Sequence, residues 1–323
     1  MKDIFHIISV YFDKIDNLSI IKLTKGSINQ TYKLIINDKK YILQKINSDI
    51  FNENVIIDMI NITEYLNNYI ITPILLNNND NYYIKYENNI YRIYNYIEGN
   101  DIDKTNLNNL EIYKLGEYLY KYHKILNNCD YIPKHYIKDF HNTDNYINKI
   151  KNILNEYDYN IKSNVLDMIN FYNDKYYNLF NDKQLIHGDT RIENILYNDG
   201  EYIMIDYDTI MIGSIYIDIG DLCRSLFTNL EDDSIKYNKE LHINFINGYY
   251  NNDLNMEYEI FKKMCINSTL IICLELSIRF YIDYIEDYYF GYNEKKYLSR
   301  KEHNLNRANI SYNLFNNIRN EYY

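Results

Sequence analysis

The residues best suited to chemistry lie in one segment, 185–208. Asp189 follows a short apolar run, Asn194 comes five residues later, and Asp206 follows the second of two further apolar runs. An Asn-Asp-Gly turn between those two runs predicts a β-hairpin, so we expect the three side chains near its base. Carboxylate and amide oxygens are hard ligands that suit Mg²⁺.

This order of side chains is typical of kinase catalytic and metal-binding loops. Phosphoryl transfer needs a base that positions the acceptor hydroxyl, and ligands for the metal. We therefore predict Asp189 as the base, Asn194 and Asp206 as Mg²⁺ ligands, and ATP with Mg²⁺ as the cofactors. His187 is expected to hold the loop by hydrogen bonds, and Asp208 to support it or to act as a second metal ligand. A polar hairpin with capping carboxylates is the competing interpretation, which accounts for any single aspartate but not for the ordered set.

Several polar residues near this segment have expected structural roles. Asp218 could brace the loop by accepting backbone N–H bonds, and Asp221 could cap a following helix. Arg191 could meet phosphate charge or pair with a local carboxylate. His123 lies beside the apolar stripe of a helix and is expected to be a packed structural histidine. His141, in a polar loop before the next helix, is a candidate site residue.

Short strands dominate the first part of the chain. The turn after the first strand is polar around one glycine and can present backbone N–H groups to phosphate, with an ordinary hairpin turn as the alternative. The last strand runs into a polar break, which in a kinase would be a hinge that offers backbone groups to adenine. The predicted nucleotide-binding residues are Gly26, Ser27, Asn29, Thr31, Gln44, Tyr96, Ile97 and Glu98.

Beyond this break, apolar residues recur at helical spacing. Helices are predicted over 112–126, 147–157, 165–180, 238–251 and 258–289, with a terminal one from about 304. The pattern therefore indicates an α+β protein with a strand-rich N-terminal lobe over 1–97 and a larger helical C-terminal lobe over 98–323.

Composition excludes several classes of function. The net charge of −11 is the wrong sign for a nucleic-acid binder. The four cysteines have no CxxC spacing and are expected to be reduced thiols of a cytoplasmic protein. The N-terminus does not read as a signal peptide, and the most apolar run, 269–278, is too short to span a membrane. We expect a monomer or a weak dimer.

The motifs together resemble the aminoglycoside phosphotransferase and choline kinase superfamily, small-molecule relatives of protein kinases, and within it the N-acetylhexosamine 1-kinase branch. The signature of the superfamily is the pair of segments 187–194 and 205–208, and the longer match over 187–194 and 205–211 resembles the branch. The segments that resemble the branch extend nearly across the chain and are 26–32, 41–47, 91–99, 139–143, 279–284 and 303–307.

The resemblance implies a two-lobed protein-kinase-like fold with a catalytic hairpin in the helical lobe and ATP at the hinge. It also implies phosphorylation of the anomeric hydroxyl of N-acetylglucosamine or N-acetylgalactosamine, an amino sugar. Arg279, Asp283 and Arg307 are then the candidates for sugar recognition. A buried ion pair, such as Arg279 with Asp283 at i, i+4, is the structural alternative.

The chain departs from the kinase pattern at three points. Gln44 stands where many kinases carry a phosphate-binding lysine on the third strand, while Lys45 faces the other side of the sheet. Either Gln44 contacts phosphate as a neutral donor, or a bulge brings Lys45 into reach. The phosphate-binding turn has one glycine, and the charge of Glu193 beside Asn194 could repel phosphate.

The sequence is compatible with three alternatives for the activity. Another hydroxyl acceptor, such as an aminoglycoside, choline, another amino alcohol or another sugar, would use the same chemistry. A nucleotide-binding pseudokinase is the alternative without catalysis. The sequence does not distinguish ATP from GTP.

Overall fold

The computed structural model describes residues 2–23, 28–79, 81–175, 180–231, 234–250 and 255–323. Its contacts divide the chain into two compact units. The first unit comprises residues 1–100, 129–137 and 196–211, and the second comprises 101–128, 138–195 and 212–323. The boundary between functional lobes at residues 97 and 98 stays a prediction.

The secondary structure changes from strands to helices along the chain. In order, the elements are α1 (Lys2–Tyr11), β1 (Leu18–Leu23), β2 (Gln30–Ile36), β3 (Lys39–Ile46), α2 (Asn54–Leu66), β4 (Ile84–Tyr86), β5 (Asn89–Asn95), β6 (Asn100–Asp101), α3 (Asn109–Leu126), α4 (Thr143–Ile153), α5 (Tyr159–Lys175), β7 (Gln184–Ile186), β8 (Ile195–Asn198), β9 (Glu201–Met204), β10 (Met211–Gly213), α6 (Ile215–Leu226), α7 (Lys239–Tyr249), α8 (Tyr258–Glu286) and α9 (Arg300–Tyr322).

The first unit is built on a five-stranded antiparallel sheet in the order β1-β2-β3-β5-β4. Two-residue turns with positive φ join two of its hairpins, β2–β3 at Asn37 and Asp38 (φ 49° and 64°) and β4–β5 at Glu87 and Asn88 (φ 46° and 61°). Such turns match the twist of the flanking strands. The β8–β9 hairpin predicted from Asn-Asp-Gly is also formed, with β6 along the other edge of β8.

Strand alternation gives the sheet two different faces. One face packs against α1 and forms an apolar core of Ile4, Ile7, Ile8, Leu34, Ile36, Leu43, Tyr91 and Ile93. The other face carries a polar row, because Thr31 lies opposite Gln44 and Gln44 lies opposite Arg92 across three neighbouring strands.

The second unit is helical, with α8 packed against α6 and α9, and α3 packed against α7. Among the described residues, α8 is the one helix long and apolar enough to cross a bilayer, and 89% of its most apolar stretch is buried inside the protein. That burial is typical of a core helix. The predicted α+β class, with a small antiparallel sheet before a larger helical part, is confirmed.

The helix α6 differs from its prediction. It begins after Ser214, whose side chain accepts a hydrogen bond from the backbone N–H of Tyr216, so Asp221 lies inside the helix and does not cap one. Asp221 instead forms an ion pair with Arg224 on the next turn.

The close crossing of α3 and α7 depends on a glycine of α7. A Cβ at Gly248 would overlap the carbonyl oxygen of Tyr113, whereas a Cβ at Gly291 would meet no atom within 4 Å. We expect Gly248→Ala to lower the free energy of unfolding by about 1–3 kcal/mol through overpacking. Gly291→Ala is the matched control, and chemical denaturation measures both. Equal stability of the two variants would contradict the close approach.

Candidate active site

The loop after β7 is held by a buried carboxylate of α6. Asp218 accepts hydrogen bonds from the backbone N–H groups of His187 (2.9 Å) and Gly188 (2.8 Å). His123 Nε2 lies 3.0 Å from the same carboxylate, and its Nδ1 lies 2.7 Å from the hydroxyl of Tyr249. The predicted bracing role of Asp218 and the structural role of His123 are both confirmed.

The same helix holds the loop further along. Thr190 donates its hydroxyl to the carbonyl oxygen of Asp218 (2.6 Å), and the backbone N–H of Ile192 donates to Ser225 Oγ (2.8 Å). Asp218 and Ser225 are two helical turns apart and therefore lie on the same face of α6. One helix face thus fixes the backbone on both sides of Asp189.

Lys104 completes this support and was not expected from the sequence. Its ammonium donates to Glu193 (2.8 Å) and to the carbonyl oxygens of Ser225 (3.0 Å) and Thr228 (2.6 Å) at the end of α6. Burial alone would raise the pKa of Glu193, but Lys104 lowers it below its usual value. The charge of Glu193 is therefore compensated within the loop's own support.

Asp189 and Asn194 lie together in the second unit. Asn194 Nδ2 donates to the carbonyl oxygen of Asp189 (2.8 Å) and to its Oδ2 (3.1 Å). Arg191 Nε lies 3.5 Å from the same Oδ2, so Arg191 pairs with a local carboxylate. Burial raises the pKa of Asp189, but the charges of Arg191 and His187 lower it below its ordinary value. Asp189 is thus ionised at neutral pH, and the amide oxygen of Asn194 is the atom suited to a metal.

Asp206 and Asp208 belong to the first unit. Asp206 adopts a left-handed backbone (φ 66°) just before a tight turn over 207–209. Asp208 is 3% exposed and accepts from Arg92 Nη2 (2.6 Å) and from Asn29 Nδ2 (2.7 Å). Because each of its oxygens already accepts a hydrogen bond, Asp208 suits a supporting role better than metal binding. The metal set of Asn194 with Asp206 stays a prediction.

The predicted phosphate-binding turn is described in part. Gly26 and Ser27 lie outside the described residues. Gln44 donates to Thr31 Oγ1 (3.2 Å) and accepts from Arg92 Nε (2.9 Å) and Nη2 (2.6 Å). These contacts occupy the amide that was expected to reach phosphate.

The alternative with Lys45 requires a β-bulge, and the strand shows none. The pairing register runs without interruption through Lys45 on both sides of β3, so the bulge alternative is wrong. The ammonium of Lys45 instead lies 6.0 Å from the ring centre of Tyr91, on the other face of the sheet.

The predicted hinge follows β5 in the first unit. The ring of Tyr96 lies under the ammonium of Lys33 (4.1 Å to the ring centre), Ile97 is buried, and Glu98 pairs with Lys40 at 2.6 Å. Their contact with adenine stays a prediction.

His141 joins the loop after β7 to α8. Its Nε2 lies 2.7 Å from the carbonyl oxygen of Gly188, and its Nδ1 lies 3.2 Å from Glu275 Oε1. Thr143 donates to the other oxygen of Glu275 at 2.6 Å. Glu275 was missed because it lies within the apolar stripe of α8, and its i, i+4 spacing from Arg279 was the available signal.

Arg279 lies inside a cage of aromatic rings. Its guanidinium carbon is 5.2–5.8 Å from four ring centres, those of Phe140, Tyr146, Tyr289 and Phe290. Its Nη1 lies 3.8 Å from Glu275, and Asp189 is among the charges that act on it. The alternative ion pair with Asp283 is not formed.

Asp283 instead holds the segment that follows α8. Its carboxylate accepts from the backbone N–H groups of Tyr288 (3.0 Å), Tyr289 (2.7 Å) and Phe290 (2.9 Å). Arg307 donates to the carbonyl oxygen of Gly291 at 2.7 Å, in the same segment. Both residues therefore position two rings of the cage, and their direct contact with a sugar stays a prediction.

Within the described part of the chain, no three or more His, Cys, Asp or Glu side chains form a group that could hold a metal ion. The predicted metal set is of a different composition, since it pairs one amide with one carboxylate.

Comparison with known proteins identifies a family whose model matches most of the chain. The model of the phosphotransferase enzyme family (APH) matches residues 19–242. No curated protein sequence matches the chain significantly.

Solved structures are similar along almost the whole chain. Choline kinase from Cryptosporidium parvum Iowa II has a TM-score of 0.68 and 16% identity, over 99% of this chain and 96% of that one. A microcompartment-associated aminopropanol kinase has a TM-score of 0.69 and 14% identity, over 99% and 98%. Amicoumacin kinase in complex with AMP-PNP, Ca²⁺ and Ami has a TM-score of 0.62 and 15% identity, over 90% and 88%. At these identities the likeness confirms the kinase-like fold.

The ion pair of His141 with Glu275 predicts a pH-dependent stability. Burial lowers the pKa of His141, but Glu275 raises it, and the net result lies above the ordinary value of 6.5. The folded protein thus binds this proton more tightly than the unfolded chain, so the stabilisation is complete below pH 6.5 and is lost as the pH rises through the folded pKa.

We expect His141→Gln to cost about 1.5–3 kcal/mol of unfolding free energy at pH 5.5, and less at pH 9. Urea denaturation of the wild type and the variant at both pH values measures this, with the exposed His6→Gln as control. A cost that does not change with pH would refute the charged pair.

Proposed function

The chain belongs to the phosphotransferase enzyme family, and we propose that it is a small-molecule kinase that transfers the γ-phosphate of ATP to the anomeric hydroxyl of an N-acetylhexosamine. N-acetylglucosamine and N-acetylgalactosamine are the proposed acceptors. The choice of acceptor rests on Arg279 and the aromatic rings around it.

Asp189 has the properties that the base of this reaction needs. It is ionised, it is a quarter exposed, and its backbone is fixed on both sides by α6. We propose that its carboxylate accepts a hydrogen bond from the acceptor hydroxyl, orients the oxygen toward phosphorus, and takes the proton as the new P–O bond forms. The leaving ADP departs with the electrons of the broken P–O bond.

Asn194 and Asp206 are the proposed holders of Mg²⁺, because their oxygens are hard ligands. When bound, the metal neutralises phosphate charge. The hydrogen bonds from Asn194 Nδ2 to Asp189 fix the orientation of the Asn194 amide, which leaves its oxygen as the ligand atom.

The single observation that carries the acceptor assignment is the occupied aromatic cage. Aromatic cages recognise quaternary ammonium groups through their ring faces. Here the chain's own Arg279 fills the cage, so a cationic acceptor such as choline would meet a like charge. An acetamide carbonyl and sugar hydroxyls, in contrast, are acceptors for the fixed donors of a guanidinium.

The carboxylates near the cage support the same class of acceptor. Asp189 pairs with Arg191, Glu275 with His141 and Arg279, and Asp221 with Arg224. Each of these three acidic groups thus has a basic partner. An aminoglycoside or an amino alcohol would need a carboxylate to neutralise its ammonium groups, and these are already committed.

The role of Asp189 is tested by Asp189→Asn. The amide keeps the shape of the side chain but cannot take the proton, so we expect turnover to fall by about 10²–10⁴-fold. Affinity for Mg²⁺·ADP should change little. Asp199→Asn, in the exposed turn of the β8–β9 hairpin, is the matched control. Undiminished turnover in a folded Asp189→Asn protein would exclude Asp189 as the base.

The acceptor class is tested by an ATP-consumption screen with N-acetylglucosamine, N-acetylgalactosamine, choline and an aminoglycoside. We expect turnover with an N-acetylhexosamine and a KM for it that rises by about 10- to 100-fold in Arg279→Gln, since hydrogen bonds from a charged donor are lost. Arg319→Gln is the matched control, because Arg319 also lies over a ring and pairs with an aspartate, Asp167. Preferential turnover of choline or the aminoglycoside would overturn the assignment.

A further inference from the structure

We propose that the positive charge which many kinases carry on the third strand has moved to Arg92 on β5, and that its ion pair with Asp208 positions the backbone around Asp206. The inference rests on the proposed kinase function. It assigns a role to Arg92, a residue that the sequence did not single out.

Arg92 is a buried charge that forms an ion pair with Asp208. It is 1% exposed, and its Nη2 lies 2.6 Å from Asp208 Oδ1. Its Nε and Nη2 also donate to Gln44 Oε1. Removing one member of such a pair leaves the other charge buried and uncompensated, so the pair strongly constrains both segments.

The register of the sheet explains why a cation on β5 can take the place of a cation on β3. Gln44 and Arg92 are directly opposite each other in neighbouring antiparallel strands, and alternation places them on the same face. Side chains in directly opposite positions have Cβ atoms only about 4.5–5.5 Å apart. The side chain of a cation at either position therefore extends from nearly the same point on this face of the sheet. A polar side chain at the opposite position can form a hydrogen bond with it.

The acidic residues of α2 are engaged elsewhere, which removes the usual helix partner of a strand lysine. Asp58 accepts from the hydroxyl of Tyr131 (2.7 Å) and from the backbone N–H groups of Lys134 (2.8 Å) and His135 (2.7 Å). Glu64 is exposed and accepts from Tyr82 at 3.3 Å. The acid that meets the strand cation is thus Asp208, in the turn that follows Asp206.

The pair acts on Asp206 through a short, constrained backbone. Asp206 has a positive φ and leads directly into the tight turn that contains Asp208. A second anchor holds the same carboxylate, because Asn29 donates to Asp208 at 2.7 Å while its own side-chain oxygen accepts from the backbone N–H of Asn47 at 2.9 Å. Fixing Asp208 on both oxygens restricts the orientation in which Asp206 is presented.

The test moves the positive charge from position 92 on β5 to position 44 on β3. The variants are Arg92→Gln, Gln44→Lys and the double variant Gln44→Lys/Arg92→Gln, with Asp208→Asn as an isosteric change at the other end of the pair. The readout is the gain in ADP affinity that Mg²⁺ produces, measured by calorimetry with and without the metal. A residue that only supports the fold would change both affinities alike and leave this gain intact.

We expect Arg92→Gln and Asp208→Asn to reduce the Mg²⁺-dependent gain by about 30- to 100-fold, and the double variant to recover at least tenfold of that loss. Lys45→Gln removes a positive charge from the same strand but from its other face, and should keep the full gain. A folded Arg92→Gln protein with the gain unchanged within about twofold would overturn the inference. A double variant whose Mg²⁺-dependent gain is no larger than that of Arg92→Gln would also overturn it. If Arg92→Gln does not fold, an unchanged gain in Asp208→Asn would do the same.

The readout separates this inference from the proposed acceptor. A wild-type protein that binds Mg²⁺·ADP but phosphorylates no N-acetylhexosamine refutes the acceptor, and the exchange is then judged by affinity alone. A wild-type protein whose ADP affinity shows no response to Mg²⁺ overturns both.

Discussion

The hydrogen bonds to the buried carboxylate of Asp218 are the interaction on which the loop after β7 depends. A carboxylate without solvent is stable only if hydrogen bonds replace its water, and here backbone N–H groups of the loop and an imidazole do so. The requirement is mutual, because those loop N–H groups need an acceptor as much as the carboxylate needs donors. The loop therefore takes this conformation only when α6 packs against it, because each supplies the hydrogen-bond partners of the other.

Charge pairing extends the same constraint through the second unit. Lys104 neutralises Glu193, Arg224 neutralises Asp221, and Glu275 lies between His141 and Arg279. A buried ion that lost its partner would be strongly destabilising, so each pair keeps its residues in a narrow range of positions. Together with the backbone contacts to α6, this network restricts the position of Asp189.

Local signals in the sequence predicted most of the fold. The Asn-Asp-Gly turn gave the hairpin, and the short polar motif gave the bracing role of Asp218. Helical spacing gave the long helices, with ends that differ from the structure by up to six residues. Contacts between distant segments left no such signal. Arg92 and Asp208 are 116 residues apart, and nothing near either residue indicates its partner.

The site residues also divide into those of a local motif, which the sequence indicates, and those that only the fold brings together. The loop side chains form a compact motif, so their types and spacing were readable, although their joint binding of metal stays a prediction. The cage around Arg279 gathers rings from three separate segments, and only the folded chain shows that a cation fills it. The roles of Asp283 and Arg307 in holding the adjacent segment likewise depend on backbone groups, which the sequence does not distinguish.

The engagement of α2 has a consequence for regulation. Where a kinase pairs its strand cation with an acid on a helix, displacing that helix can switch the enzyme off, and phosphorylation or a partner protein can exploit this. Here α2 contributes neither charge of the Arg92–Asp208 pair. Displacing α2 would therefore remove neither charge of this pair, and control of the pair would have to act on the sheet or on the turn that holds Asp208.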